Sequence, residues 1–382
     1  MLSPSRIWAY PGLRLIIGMT WFLIAGLANA ASPPEIKARG YLLMDAATGQ
    51  ALAETAADER LEPASLTKIM TAYVVFGELA KGSVRMDERL SISETAFRQP
   101  GSRMFIDRKV PVSIEELLHG MIIQSGNDAS TALAERIAGS ETGFAELMNR
   151  EAKRLGMANS HFMNATGLPS PEHYSTARDL ALLTRALIRD FPALYPIYSQ
   201  RSYEYNKIKQ PNRNGLLGKD ASVDGVKTGH TDAAGYCLVS SAKRGDTRLI
   251  SVLLGAKSPK VREIESLALL NYGFQFFETQ KLEPAGKALV EVQVWFGKAS
   301  RLGLGLGQDL TLTLPKGSPR PELKQSISEP ITAPIAKGQP LGELLVLSGG
   351  QELARVPLLA LDEIPEGGFF SRLIDRIRLW FH

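Results

Sequence analysis

The strongest constraint on this chain's fold is a single change in its hydrophobic period. Up to about Leu282, helical and strand spacings are interleaved; from about Glu283 onward the apolar stretches repeat at two. "KALVEVQVWF", "DLTLTLP", "GELLVLS" and "ELARVPLLAL" all alternate, and Pro and Gly separate them at short intervals. Alternation of this kind aims successive side chains at opposite faces of a sheet. The C-terminal part is therefore expected to be a small all-β module of roughly 80 residues. It follows a larger domain in which helices and strands are mixed. No nucleotide site is read into "GLGLGQ" (303–308), because its third glycine is misplaced and no helical pattern follows.

In the larger domain, "GYLLMDAATGQALAE" predicts two strands around a turn at Ala46-Ala47-Thr48-Gly49. Helices are predicted over 66–79, 114–124, 129–138, 143–155 and 176–189. Ser113 precedes Glu116 in an S-x-x-E box, and Thr176 precedes Asp179, as helix starts require. Residues 236–256 read as a hairpin of two apolar strands around Gly245-Asp246. A chain of 382 residues is long enough for two or three domains with cores of their own. The net charge of +4 is mild and forms no basic stripe, so no nucleic-acid partner is expected.

Both ends carry membrane chemistry. Arg6 and Arg14 precede a short apolar run, 15–28, and Ala28-Asn29-Ala30 offers the small-x-small pattern of signal cleavage. The run is short for a span of about 20 residues, so residues 1–30 are read as a signal peptide. Cleavage removes two arginines and no acid, which takes the charge from +4 to +2. Export makes the cysteine count informative: the single Cys237 allows no internal disulfide, and its apolar surroundings predict a buried, inert thiol. At the other end, a helix over 369–382 places Phe370, Ile374, Ile377 and Phe381 on one face, beside Phe369, Leu373 and Trp380. Ser371, Arg372, Asp375, Arg376 and Arg378 lie mostly opposite. A core-docking helix shares this periodicity. The terminal position, the Gly367-Gly368 hinge and the aromatics favour a basic amphipathic helix in the lipid interface.

The chain has no H-E-x-x-H, no paired cysteines, no Walker A loop and no G-x-S-x-G elbow. Five histidines, with His161 and His173 in polar contexts, form no metal motif, and no cofactor is expected. What remains is a trio in order: Ser65-Leu66-Thr67-Lys68, Ser125-Gly126-Asn127 and Lys227-Thr228-Gly229-His230. S-x-x-K, S-x-N and K-T-G in this order form the signature of penicillin-binding proteins and serine β-lactamases. On a helix Ser65 and Lys68 are neighbours on one face. A serine hydroxyl is a weak nucleophile until a base removes its proton. Lysine becomes that base once burial and a second cation lower its pKa. "IMTAYVVF" predicts a buried helix, and Lys227 is the candidate second cation. Ser240 and Lys243 repeat the S-x-x-K spacing on a predicted strand, where residues three apart point to opposite faces. Ser125, from a loop between helices, is expected to pass a proton to the departing amine. Asn127 is expected to hold the substrate's peptide group and orient Lys68, and it competes with a helix N-cap reading. Thr228 and Lys227 suit a carboxylate, Gly229 permits close approach, and the N–H groups of Ser65 and His230 suit an oxyanion. The K-T-G stretch is expected to lead into the first hairpin strand, with an exposed edge for an added peptide strand.

These motifs, with "QSGNDAS", "YSTARDLALL", "NRNGLL" and the histidine after K-T-G, resemble the serine-type D-alanyl-D-alanine carboxypeptidases, the low-molecular-mass penicillin-binding proteins. The resemblance covers nearly all of the chain after residue 30. It implies an α/β penicillin-binding/β-lactamase-like transpeptidase fold, with an antiparallel sheet, flanking helices and a helical subdomain. A catalytic domain over 31–282, a β-rich domain over 283–364 and an anchor helix over 365–382 follow from it. It implies cleavage of the terminal D-Ala from peptidoglycan pentapeptides through acyl-Ser65, inhibition by β-lactams, and a periplasmic site on the outer face of the inner membrane. It carries a carboxylate-binding role to Arg248, with Arg213 a weaker candidate. A serine β-lactamase would add a deacylating glutamate, for which Glu146 lies too soon after Ser125. A D,D-endopeptidase would share the motifs, and so would a non-enzymatic wall-binding protein on the same scaffold.

Overall fold

The computed structural model describes residues 32–379. The proposed signal segment therefore lies outside the described residues, as do Trp380, Phe381 and His382. The chain divides into two compact units; among the described residues, one holds 32–280 and 311–316, the other 281–310 and 317–379.

The first unit is built on a five-stranded antiparallel sheet. Its strands are β1 (Gly40–Asp45), β2 (Ala51–Thr55), β3 (Val223–Thr231), β4 (Gly235–Arg244) and β5 (Thr247–Ala256), in the order β2-β1-β5-β4-β3. Period-two geometry sends Leu42 and Met44 to one face and Tyr41 and Leu43 to the other, and both faces are buried. This is why β5, "TRLISVLLGA", reads as a nearly continuous apolar run. One face packs against α1 (Thr67–Lys81) and α5 (Ala177–Asp190), and its core continues into α2 (Ile114–Gln124), α3 (Asn127–Ala138) and α4 (Glu141–Arg154). α1 is their hub, with every residue from Thr67 to Phe76 buried. The expected caps form: Ser113 and Glu116 close a full capping box on α2, and the Thr176 hydroxyl accepts from Asp179 N–H at α5.

The other face is covered by α6 (Pro259–Phe276), a helix that the sequence reading did not anticipate. Its apolar residues do not gather into one stripe. Its start was nevertheless written in "SPKV": Ser258 accepts from Val261 N–H, and Pro259 occupies the first turn. K-T-G also departs from expectation. It lies inside β3, a strand of its own on the sheet's edge, and not at the entrance to the β4–β5 hairpin. Two further strands, β6 (Phe277–Glu283) and β9 (Leu310–Pro315), pair with each other.

The second unit holds a six-stranded sheet. β7 (Ala288–Trp295), β8 (Arg301–Gly305), β10 (Glu322–Ile327), β11 (Ile331–Thr332), β12 (Pro340–Ser348) and β13 (Gln351–Ala360) are ordered β10-β12-β13-β8-β7-β11. Val292, Val294, Leu302, Leu304, Leu344, Val346 and Leu358 are buried from alternating positions. The unit ends in α7 (Phe369–Leu379). Asp375, from the polar side of α7, accepts from the Phe296 N–H at 2.8 Å, and Arg372 pairs with Glu366. Phe369, Phe370, Leu373, Ile374 and Ile377 are about half exposed or more.

Candidate active site

The nucleophile segment begins with a 3-10 turn, Ala64–Leu66, that runs directly into α1. Side chains at i and i+3 eclipse in such a turn. Lys68 Nζ accordingly lies 3.0 Å from Ser65 Oγ. Two further partners fix this amine: Asn127 Oδ1 at 2.7 Å and the Thr166 carbonyl at 2.5 Å. Both are acceptors only. A neutral amine that donates its two N–H bonds to them keeps its lone pair for the Ser65 hydroxyl. The geometry would let the amine accept a proton from the Ser65 hydroxyl.

Lys68 is 1 % exposed, and its pKa falls from 10.5 to about 7. Burial is the largest cause and the Arg213 guanidinium the next; the Asp128 and Glu141 carboxylates pull the other way. The sequence reading assigned the second cation to Lys227, whereas the charge that bears on Lys68 is that of Arg213. Lys227 is itself driven well below its ordinary value, by burial first and then by Lys68, Arg213 and Arg262. Two buried lysines share one region, and neither gains by holding a proton beside the other.

Ser125 closes α2 with a left-handed φ of 66°, and its buried Oγ has no hydrogen-bond partner among the described residues. Asn127 opens α3, but its side chain does not cap the helix. Its amide nitrogen donates to the Pro100 carbonyl at 2.6 Å while its oxygen holds Lys68. Asp128, also free of a capping role, accepts from the N–H groups of Met104, Phe105 and Ile106. It thereby ties the loop before α2 to the S-x-N turn. On β3, Lys227 and Thr228 are buried and His230 is exposed, its ring stacked on Tyr236 at 4.0 Å. A Cβ on Gly229 would lie 2.9 Å from the Pro63 carbonyl, so the glycine lets β3 close on the nucleophile turn.

Arg248 is not brought to the trio. Its partners are Asp224 and Ser241, and its guanidinium sits over the Tyr195 ring. Arg213 instead anchors on the Gln124 carbonyl, the residue before Ser125, at 2.9 Å. Ser240 is buried and Lys243 exposed on β4, so the second S-x-x-K makes no pair. Glu146 is exposed on α4. Cys237 is buried, with its thiol pushed up to about 11 by burial.

A further part of the site, the loop around Thr166, was not read from the sequence. Asn164 Oδ1 accepts from Thr166 N–H, Thr166 Oγ1–H and Gly167 N–H, which wires the loop to itself. Gly167 has φ 82°, and a Cβ there would stand 1.8 Å from the Ala64 carbonyl oxygen. His173 Nε2 lies 2.8 Å from Thr67 Oγ1, and its Nδ1 accepts from Met163 N–H. Burial lowers this imidazole to about 4, so it is neutral and donates to Thr67. "NATG" held the signal: turn-forming residues with a glycine at the tight point.

Residues 27–258 match the D-alanyl-D-alanine carboxypeptidase family, and residues 277–366 match the penicillin-binding protein 5 C-terminal domain. The chain is 44% identical over 375 residues to D-alanyl-D-alanine carboxypeptidase DacC of Escherichia coli, covering 94% of both chains. Penicillin binding protein 5 from Haemophilus influenzae is 41% identical, with a TM-score of 0.85 over 88% of this chain and all of that one. Penicillin-Binding Protein D2 from Listeria monocytogenes, in its cefotaxime-bound form, is 33% identical with a TM-score of 0.60; the match covers 64% of this chain and 100% of that one. The chain therefore belongs to the serine-type D-alanyl-D-alanine carboxypeptidases, the peptidase S11 family of penicillin-binding proteins, and carries that family's C-terminal β domain.

Proposed function

We propose that this protein removes the terminal D-Ala of peptidoglycan pentapeptides through an acyl-Ser65 intermediate, and that β-lactams acylate the same hydroxyl. The observation that carries this reading is the Lys68 amine, 3.0 Å from Ser65 Oγ and held by two acceptors that leave its lone pair free. As Ser65 Oγ attacks the carbonyl between the two D-Ala residues, its proton passes to Lys68. The developing oxyanion meets the N–H groups of Ser65 and His230. Ser125 relays that proton from Lys68 to the departing D-Ala amine as the C–N bond breaks. Water then cleaves the acyl ester and restores the Ser65 hydroxyl. Thr228, Lys227 and Arg213 receive the terminal carboxylate, and its arrival favours the charged form of Lys227. Asn127 steadies both Lys68 and the substrate amide, and Gly229 lets β3 lie close against the Ser65 turn. Arg248 braces β3 through Asp224.

Incubation with a pentapeptide ending in D-Ala-D-Ala tests the reading. Free D-Ala should appear with the native chain and vanish with Ser65→Ala, and penicillin should label Ser65 in peptide maps. Labelling elsewhere would refute the assignment. A β-lactamase would release penicillin rapidly; the exposed Glu146 gives it no deacylating carboxylate. Cleavage of cross-linked dimers in preference to pentapeptide would favour the endopeptidase.

The functional segments follow as a catalytic domain at 31–282, a β domain at 283–364 and a membrane-seeking helix at 365–382. The exposed apolar side chains of α7, with Arg372, Arg376 and Arg378 beside them, support attachment to an anionic lipid surface. Among the described residues no helix is long and apolar enough to cross a membrane. A periplasmic site on the outer face of the inner membrane is part of the proposal; the exposed apolar face of α7 and the signal-like sequence of 1–30 support it.

A further inference from the structure

Beside the nucleophile turn lies an open cleft of about 510 Å³, lined by Arg60, Leu61 and Glu62 on one wall and by Pro169 to Pro171, His173 and Tyr174 on the other. The walls are fixed by the chain itself. Leu61 and Ser175 exchange backbone hydrogen bonds at 2.9 and 3.0 Å. His173 is bolted to Thr67, inside the S-x-x-K turn. Arg60 lies over the Tyr174 ring, 4.8 Å from its centroid, with its guanidinium exposed and one contact to Asn159 Oδ1. Glu62 is half-buried, and its Oε2 accepts from Thr231 Oγ1 at 3.1 Å. A carboxylate and a guanidinium thus stand two residues apart on one wall, and Arg60 makes no ion pair with Glu62.

The direction of the substrate leads to this place. Its terminal carboxylate belongs at Lys227 and Thr228 and its scissile carbonyl at the N–H of His230. A peptide added to the edge of β3 therefore runs antiparallel to it, with its earlier residues passing Thr231. The third residue of the stem peptide comes level with Thr231, the residue hydrogen-bonded to Glu62. In peptidoglycan that residue is a diamino acid, either lysine or diaminopimelate. Lysine ends in an ammonium alone, whereas diaminopimelate ends in an ammonium and a carboxylate.

We infer that this cleft is a subsite for the zwitterionic end of a diaminopimelate side chain, with Glu62 taking its ammonium and Arg60 its carboxylate. The inference rests on the carboxypeptidase reading and adds a substrate preference to it. Lysine would satisfy Glu62 and leave Arg60 unmatched. The discrimination is that of one partly exposed ion pair, about fivefold at the upper end of such pairs.

The test compares two synthetic pentapeptides that differ only in diaminopimelate or lysine at the third position, followed by D-Ala release. The native chain should show kcat/KM about fivefold higher for the diaminopimelate peptide. Arg60→Ala should bring the ratio to about one by lowering only the diaminopimelate value. Glu62→Gln, which can still accept from Thr231, should lower both values and preserve the ratio. Thermal unfolding near the native Tm checks that both variants are folded. Equal rates for the two peptides with the native chain, or a ratio unchanged by Arg60→Ala, would overturn the subsite and leave the carboxypeptidase standing. No D-Ala from either peptide would overturn both.

Discussion

Replacing Arg213 by Gln should move the pH dependence of acylation to the alkaline side. In the proposed mechanism Lys68 serves as a base only when neutral, and a pKa lowered to about 7 leaves about half of it in that form at pH 7. At the ordinary 10.5 the neutral fraction at pH 7 would be roughly three in ten thousand. The shift corresponds to about 5 kcal/mol of differential interaction between the charged and neutral forms. Burial contributes most of it, and the Arg213 charge is the next cause. A neighbouring like charge moves a pKa by about one unit or more, on the order of 1 kcal/mol. The sign follows from the charges: with a neighbouring cation removed, protonated Lys68 is repelled less and its pKa rises. The acylation rate by a β-lactam, measured by stopped-flow or timed quench across pH 5 to 10, should therefore rise through about pH 7 in the native chain and through about pH 8 in the variant. Below both inflections the variant should be slower by about a further tenfold. The position of the inflection carries the test, because loss of the proposed carboxylate-binding role of Arg213 would lower the plateau as well. An inflection unmoved in Arg213→Gln would refute the coupling. A native profile flat from pH 5 to 8 would refute Lys68 as the titrating base.

Lys68→Arg should abolish penicillin labelling, since a guanidinium does not give up its proton in this range; gel labelling with a fluorescent penicillin reads this directly. Gly167→Ala forces a Cβ against the Ala64 carbonyl at a left-handed φ, and should cost about 3 kcal/mol or more in chemical unfolding while slowing acylation by displacing the Thr166 carbonyl. Asp128→Ala leaves the N–H groups of Met104, Phe105 and Ile106 without their acceptor, at about 3 kcal/mol in all, which should lower Tm by about 6–10 °C in calorimetry. Deleting Phe369 to His382 should release the chain from vesicles rich in anionic lipid, and raising salt should weaken the intact chain's attachment, as a flotation assay would report.

The parts of this fold that could be read in the sequence have strong local causes. Capped helices such as α2 and α5 announce themselves through a hydroxyl and a helical period, and β1, β2, β4 and β5 through apolar alternation or runs. α6 was hidden because it lies on the sheet with apolar residues spread around its surface, so no stripe marks it. In the site, the motif residues were visible because their chemistry depends on residue type. Arg213, Asp128 and Thr166 were less visible for a physical reason. Arg213 acts by its charge at a distance, Asp128 by holding backbone groups, and Thr166 through its own carbonyl. A carbonyl belongs to every residue, so no side chain at position 166 could have signalled the role. Arg248 shows the opposite limit: a matching residue in a matching string whose guanidinium is already committed to Asp224.

Among the described residues, strand β3 pairs with another strand on one side only. Such a margin can template another copy's strand as readily as a peptide, and long apolar margins invite aggregation. Here the margin is broken by polar side chains: Asp224 and Thr231 are half-buried and His230 is exposed. Polar groups of this kind blunt an edge against a second β3, so the margin can stay free without the molecules sticking to one another.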